Sequence, residues 1–219
     1  MHASKLTNNF DLGYLSRSIK DLYLESLIPH TMKIKMFLIA CFLMIVALHT
    51  QAQGFQPPAE GKAVVYFVRV STMGFAISFE YFDGDKYIGA FKGKNYMRYE
   101  CEAGQHLLWA SSENKEFITA DLKAGGTYVV IVDIAMGIGK ARVGLNPITA
   151  QPAELFARAK ELVKAEPAQV TPQEKIDKMN IKLKDFIAEK LDKYETVWKK
   201  EKTFPTISPE QAVAEADLQ

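Results

Sequence analysis

The spacing of apolar residues changes character twice after an uninterrupted apolar run, and each regime predicts a different element. Residues 36–48 are thirteen consecutive apolar positions, preceded by Lys33 and Lys35 and followed by His49-Thr-Gln-Ala-Gln-Gly54. From Lys62 the period is two: Val64, Tyr66, Val68 and Val70 alternate with Val65, Phe67 and Arg69. Apart from the arginine these are β-branched or aromatic, the types that suit a pleated surface. From Pro152 onward the period is helical.

The two-residue period predicts a second strand over 75–82, where Phe75, Ile77, Phe79 and Tyr81 alternate with Ala76, Ser78 and Glu80 and leave one wet face. Asp83-Gly84 is a strong hairpin signal, because a primed two-residue turn needs positive φ that Gly and Asp tolerate. It joins 75–82 to a strand over 86–91. Further strands are predicted over 96–102, 105–112, 115–122 and 127–135, separated by turns at Phe91-Lys-Gly-Lys-Asn95, Ala103-Gly104 and Lys123-Ala-Gly-Gly126. Tyr128-Val-Val-Ile-Val132 is apolar on both faces, the mark of a central strand. A last strand over 140–145 ends at Asn146-Pro147. Seven or eight short strands with turn residues between them predict a mainly β domain over 62–149, an antiparallel β-sandwich in preference to an open barrel.

A C-terminal extension of two helices is predicted over 152–203. In the first, Leu155, Ala159, Leu162 and Val163 share a stripe, and Pro152 lies near the first turn, where its missing N–H costs nothing. The second opens at Thr171-Pro172, with Thr171 as N-cap and Glu174 three residues on, the capping-box arrangement. Its stripe is Ile176, Met179, Leu183, Phe186/Ile187, Leu191, Tyr194 and Val197/Trp198. Roughly thirty helical residues span about 45 Å, which outruns the β domain. The helices are therefore expected to pack partly on the β domain and, through Ile176, Leu183, Ile187, Leu191, Tyr194 and Trp198, partly against a protein partner or a second copy of the chain. Phe204-Pro-Thr-Ile-Ser-Pro209 ends the helix, and 204–219 is expected to be a flexible tail.

The front of the chain points to export. Met32-Lys-Ile-Lys35, the apolar run and the small residues before Gly54 have the order of a signal peptide over 32–52, with cleavage after Ala52 favoured. Thirteen helical residues cover about 20 Å, short of the roughly 30 Å hydrocarbon core, so the membrane enters only if this segment stays uncleaved. Leu38-Ile-Ala-Cys41 is a rival lipoprotein box, but few apolar residues precede Cys41 and the run continues beyond it. Residues 1–31 form a leader, with translation expected to start at Met32. Residues 53–61, which contain Pro57-Pro58, read as an extended linker.

Charge and residue census then narrow the chemistry. The 219 residues carry a formal net charge of +1. Without residues 1–52 the balance is 22 basic against 23 acidic residues, which gives no field to gather nucleic-acid phosphates. Cys101 is the one cysteine after the predicted cut and reads as a small buried hydrophobe. His106 is likewise the only histidine there, too few ligands for a zinc site, and is expected to pack, partly exposed, rather than catalyse. No serine lies in a G-x-S-x-G elbow. Gly137-Ile-Gly-Lys140 lacks the spacing and the hydroxyl residue of a phosphate loop and reads as a hairpin turn. Asp83 and Asp85 lack the remaining oxygen ligands of a calcium loop. No catalytic, metal-binding or cofactor-binding residue is assigned, and Trp109 is the candidate aromatic for an open ligand face.

Several strings taken in order carry a resemblance: Ala63-Val-Val-Tyr-Phe-Val-Arg69, Asp83-Gly84 with Ile88-Gly89, Ala103-Gly-Gln-His-Leu107, Leu122-Lys-Ala-Gly-Gly-Thr-Tyr128 and Val143-Gly-Leu-Asn-Pro147. Over 61–149 the chain resembles the bacterial exported family called domain of unknown function 2846, similar in style to PEGA-type β-sandwich domains. The resemblance implies an envelope-located β-sandwich without established activity, often lipid-anchored; here a convincing lipobox is missing. The expected function is a non-enzymatic binding or interaction module of the periplasm or cell envelope. The alternatives are a small-ligand or glycan-binding sandwich and an unrecognised hydrolase.

Overall fold

A computed structural model describes residues 54–137 and 141–219. The signal segment, its cleavage position, Cys41 and the tip of the Gly137–Lys140 turn lie outside the described residues. The strands are β1 (Lys62–Arg69), β2 (Ser78–Asp83), β3 (Lys86–Lys92), β4 (Asn95–Glu102), β5 (Gly104–Ser111), β6 (Lys115–Leu122), β7 (Thr127–Met136), β8 (Ala141–Ile148) and β9 (Thr206–Ile207). Helices follow at α1 (Ala153–Ala165), α2 (Gln173–Lys182), α3 (Lys184–Lys193), α4 (Lys199–Glu201) and α5 (Glu215–Leu218). The fold is mainly β, with a four-stranded sheet in the order β4-β1-β7-β8 and a five-stranded sheet in the order β3-β2-β5-β6-β9. Both sheets are mixed, not purely antiparallel: β1 runs parallel to β7, and β9 parallel to β6.

Three apolar clusters hold the fold, and the two-residue period divides the strands between them. Ala63, Val65 and Phe67 of β1, with Tyr128, Val130 and Val132 of β7, enter a core shared with Phe79, Tyr81, Leu108, Ala110, Ile118 and Ala120 of the other sheet. The alternate residues Val64, Tyr66, Val68, Val129 and Ile131 point the other way, onto Phe156, Ala159, Leu162 and Val163 of α1. Phe156, not Leu155, is the fourth buried position of that stripe. The outward face of the five-stranded sheet carries an aromatic row, Phe82, Trp109 and Phe117, set opposite one another on β2, β5 and β6. Phe82 and Trp109 stack at 3.8 Å between ring centroids, and Trp109 and Phe117 at 5.4 Å.

The helical stripe covers that row. Ile187 and Tyr194 are buried on it, and Ile176, Leu183, Leu191 and Trp198 pack against it. At these six positions the stripe proposed for a partner packs on the chain's own sheet. The expected single helix is interrupted at Leu183 (φ −95°, ψ 3°) and widens to a π-turn over Tyr194–Trp198. The six stripe residues stay against the sheet through both irregularities. Helices and sheets form one compact unit.

Residues 54–61, extended as expected, and residues 204–219, expected to be a flexible tail, are packed as well. Phe55 stacks on Phe156 and meets the Tyr66 ring edge-on, and Gly54 N–H donates to the Val163 carbonyl at 3.1 Å. In the tail, Ile207 and Val213 are buried, and Val213 N–H donates to the Thr127 carbonyl at 2.9 Å.

Several boundaries and turns differ for identifiable reasons. The second strand begins at Ser78 because 70–77 forms a loop. The two-residue turn is Gly84-Asp85, and the glycine alone takes positive φ (51°). The turns at 93–94 and 103 join strands of different sheets, so they are corners rather than hairpins. Strand β8 continues through Pro147 because it lies at a sheet edge, where a missing N–H is tolerated.

Side chains close parts of the open edges. Thr171 does not cap α2; its hydroxyl receives the Ala90 N–H at 3.1 Å and lies 3.4 Å from the Ala90 carbonyl. Asn180 receives the Tyr87 N–H at 2.7 Å and donates to the Tyr87 carbonyl at 3.1 Å. Asn114 pairs with Val143 of the opposite edge in the same two-way fashion, both distances being 2.8 Å. An amide side chain thus stands in for one residue of a neighbouring strand. Asn180→Ala should destabilise the chain by about 1–2 kcal/mol in urea denaturation and speed hydrogen exchange at Tyr87. Unchanged exchange there would show that the edge does not depend on Asn180.

Candidate functional site

The densest group of titratable side chains sits beside the β4–β5 corner. Asp83 ends β2, Tyr99 and Cys101 lie on β4, and His106 lies on β5. Asp83 Oδ2 accepts the Tyr99 hydroxyl at 2.8 Å and His106 Nδ1–H at 2.7 Å. On its other side the ring places Nε2 2.8 Å from the Glu102 carbonyl oxygen. Carboxylate and carbonyl both accept, so a ring that serves both is the doubly protonated imidazolium. The hydrogen bond with Asp83, helped by one with Cys101 and opposed by burial, holds the His106 pKa up at about 10. Burial, with Asp83 adding to it, pushes the Tyr99 hydroxyl well above its usual value.

Chemically this is a clasp between sheets. The imidazole–carboxylate pair exists, as in a hydrolytic triad, but the second ring nitrogen faces a backbone carbonyl instead of a hydroxyl nucleophile. Cys101 is buried. From the sequence His106 stands alone and predicts partly exposed packing; its pairing with Asp83 depends on the β2–β5 register, of which Asp83-Gly84 signals only the turn. Asp85 does not join the clasp.

The other predicted positions are structural. Trp109 is fully buried and its Nε1–H donates to the Gly84 carbonyl at 2.9 Å, so it offers no ligand face. The six stripe residues cover the aromatic row that includes it. Near the end of the stripe, Trp198 lines an open cleft of about 530 Å³ with Lys190, Arg142 and Glu201. There Lys202 Nζ reaches both Glu116 oxygens, at 2.6 and 2.8 Å. Among the described residues no group of three or more His, Cys, Asp or Glu side chains could hold a metal ion.

A second polar feature had no sequence signal beyond a charged residue in an apolar strand. Arg69, the last residue of β1, is 0% exposed. Its guanidinium donates to the carbonyls of Met73, Gly74 (2.8 Å) and Ile77 (2.9 Å) and stands 5.3 Å from the Phe79 ring centroid. Among the described residues it forms no ion pair, and Arg69 Nε and the Tyr81 hydroxyl have no hydrogen-bond partner. Burial lowers the Arg69 pKa.

Comparison of the sequence with protein-family models and with curated proteins finds no match.

The clasp fixes a direction of pH dependence. Folding raises the His106 pKa from an unfolded value of about 6.5 to about 10, so the folded chain holds the proton more tightly. Its stabilisation is complete below the unfolded value and is lost as pH rises through the folded one. NMR titration of the His106 ring should show the raised midpoint, and Asp83→Asn should move it down and flatten the alkaline loss in denaturation curves. A ring titrating at its ordinary value in the unaltered chain would refute the clasp.

Proposed function

We propose that this chain is an exported, non-enzymatic interaction module of the cell envelope. Residues 32–52 act as the signal peptide, with cleavage after Ala52, and the two sheets form a β-sandwich whose helices belong to the same body. The observation that carries this reading is the internal use of two conspicuous chemical groups among the described residues, the aromatic row and the histidine–carboxylate pair. The aromatic row lies under the chain's own helices, and the Asp83–His106 cluster has both histidine nitrogens engaged by groups of the fold. The core drawn from both sheets supports the sandwich. A body built this way acts through its outer surface, and the stripe from Ile176 to Trp198 is not the part left over for a partner.

The test is the fate of the full chain in a bacterial host. N-terminal sequencing of the envelope fraction should find a product that begins at Gln53. Recovery of the intact chain from the cytoplasm would refute export. Turnover of a broad ester, peptide and glycoside panel that Asp83→Asn abolishes, with the fold retained, would refute the non-enzymatic reading.

A further inference from the structure

The loop between β1 and β2 presents large apolar side chains outward on a backbone fixed from inside. Phe75 is 75% exposed and Met73 54% exposed, and no other aromatic among the described residues is exposed. Arg69 gathers the carbonyls of Met73, Gly74 and Ile77 inward, and Ile77 N–H closes a turn on the Gly74 carbonyl at 2.8 Å. Gly74 has φ 61°, and a Cβ there would lie 2.5 Å from Ile134 Cδ1. The backbone conformation is therefore set before any ligand arrives, and little ordering entropy remains to be lost on binding.

Three exposed basic residues, Lys92, Lys94 and Arg158, lie beside the loop. Lys92 and Lys94, both exposed, flank Gly93, whose backbone lies against Phe75: a Cβ at Gly93 would stand 3.1 Å from the Phe75 carbonyl oxygen. On the other side the exposed Arg158 of α1 donates to the Val70 carbonyl at 3.4 Å. Residues 70–77 themselves carry no charge. An apolar tip inside a basic rim has the complementarity of an anionic lipid interface: the apolar side chains enter the acyl boundary while the cations stay with the headgroups. A hydrophobic pocket on a protein would have no need of the cations.

We infer that the 70–77 loop is a membrane-docking tip, in which Met73 and Phe75 insert into an anionic lipid surface gripped by Lys92, Lys94 and Arg158. The inference names the partner of the proposed interaction module and rests on that reading.

The test uses the full chain carrying Phe75→Trp and vesicles of phosphatidylcholine with or without phosphatidylglycerol, each also prepared with brominated acyl chains. The unaltered chain supplies the background from Trp109 and Trp198, and Ile181→Trp supplies an exposed control on α2. Because the readout is local, it is independent of any adsorption through residues 36–48. The indole at position 75 should shift to the blue and be quenched by brominated lipid in phosphatidylglycerol vesicles, while the control indole should not. Replacing Lys92 or Lys94 by Gln should weaken the quenching isotherm roughly fivefold each, the equivalent of about 1 kcal/mol per lysine near an anionic surface.

An indole at 75 that stays in water while the chain sediments with vesicles would overturn the inference. So would equal quenching with phosphatidylcholine alone, or quenching that appears only after envelope proteins are added. Export without insertion would sink the lipid inference and leave the module; insertion by a chain found in the cytoplasm would sink the envelope reading alone.

Discussion

Neither sheet of this protein can stand with one face in water, and most of the structure follows from that constraint. Strand β1 is buried at every residue after Lys62, because Val64, Tyr66 and Val68 are as apolar as Val65 and Phe67. Burying one face would leave the other row in solvent, at roughly 1.5–3 kcal/mol for each large side chain. Helix α1, Phe55 and Val213 cover the outer row of the four-stranded sheet, and α2, α3 and the π-turn cover Phe82, Trp109 and Phe117 on the other. The helical region is thus a requirement of the sheets and not an appendage to them. The same logic explains why residues 54–61 and 204–219 are packed, since Phe55 and Val213 each complete an outer cluster.

Covering the faces leaves the edges, and these are handled locally. Strand β3 lies at one edge, and a bulge between Tyr81 and Phe82 on its neighbour leaves Ile88 unmatched. Tyr87 and Ala90 then turn backbone groups outward, where Asn180 and Thr171 meet them. An exposed strand edge invites pairing with another chain, and an amide that offers both a donor and an acceptor blocks it without a further strand. Asn114 repeats the device on β8. Polar residues that interrupt an apolar pattern therefore act here as parts of the sheet.

How much of this was legible in the sequence depended on the range of the interaction. Strands with regular alternation, such as β6 at Lys115–Leu122, were fixed by local pattern and match to the residue. The start of β2 was not: Phe75 and Ile77 continue the alternation, but Arg69 draws the loop carbonyls inward and the strand begins only at Ser78. Thr171-Pro172 carried a capping signature, yet its hydroxyl serves β3, because a long-range edge competed with the helix for the same oxygen. The helical stripe is legible as apolar, and packing on the β domain is expected for part of it, but alternation on β2, β5 and β6 does not reveal which sheet face stays wet and so how much of the stripe that face takes. The Asp83–His106 pair was invisible for a related reason, since strand register cannot be read from spacing alone.

The buried Arg69 and the half-buried His106 answer the cost of desolvation in different ways, and the difference bears on what each does. His106 is neutralised by a carboxylate, so its charge is matched, its geometry is fixed by two acceptors, and it joins two sheets. Arg69 has carbonyl dipoles instead. Dipoles satisfy donors without cancelling charge, and they belong to backbone, so satisfying them dictates the path of the chain. A carboxylate partner would have stabilised the cation and left the loop free to choose its shape. The use of three carbonyls from residues 73–77 turns the cost of burying a charge into a fixed loop conformation, with the side chains between those carbonyls directed outward. A stability argument alone would favour an apolar residue at position 69; the arrangement makes sense if the shape of that loop is itself what the protein uses.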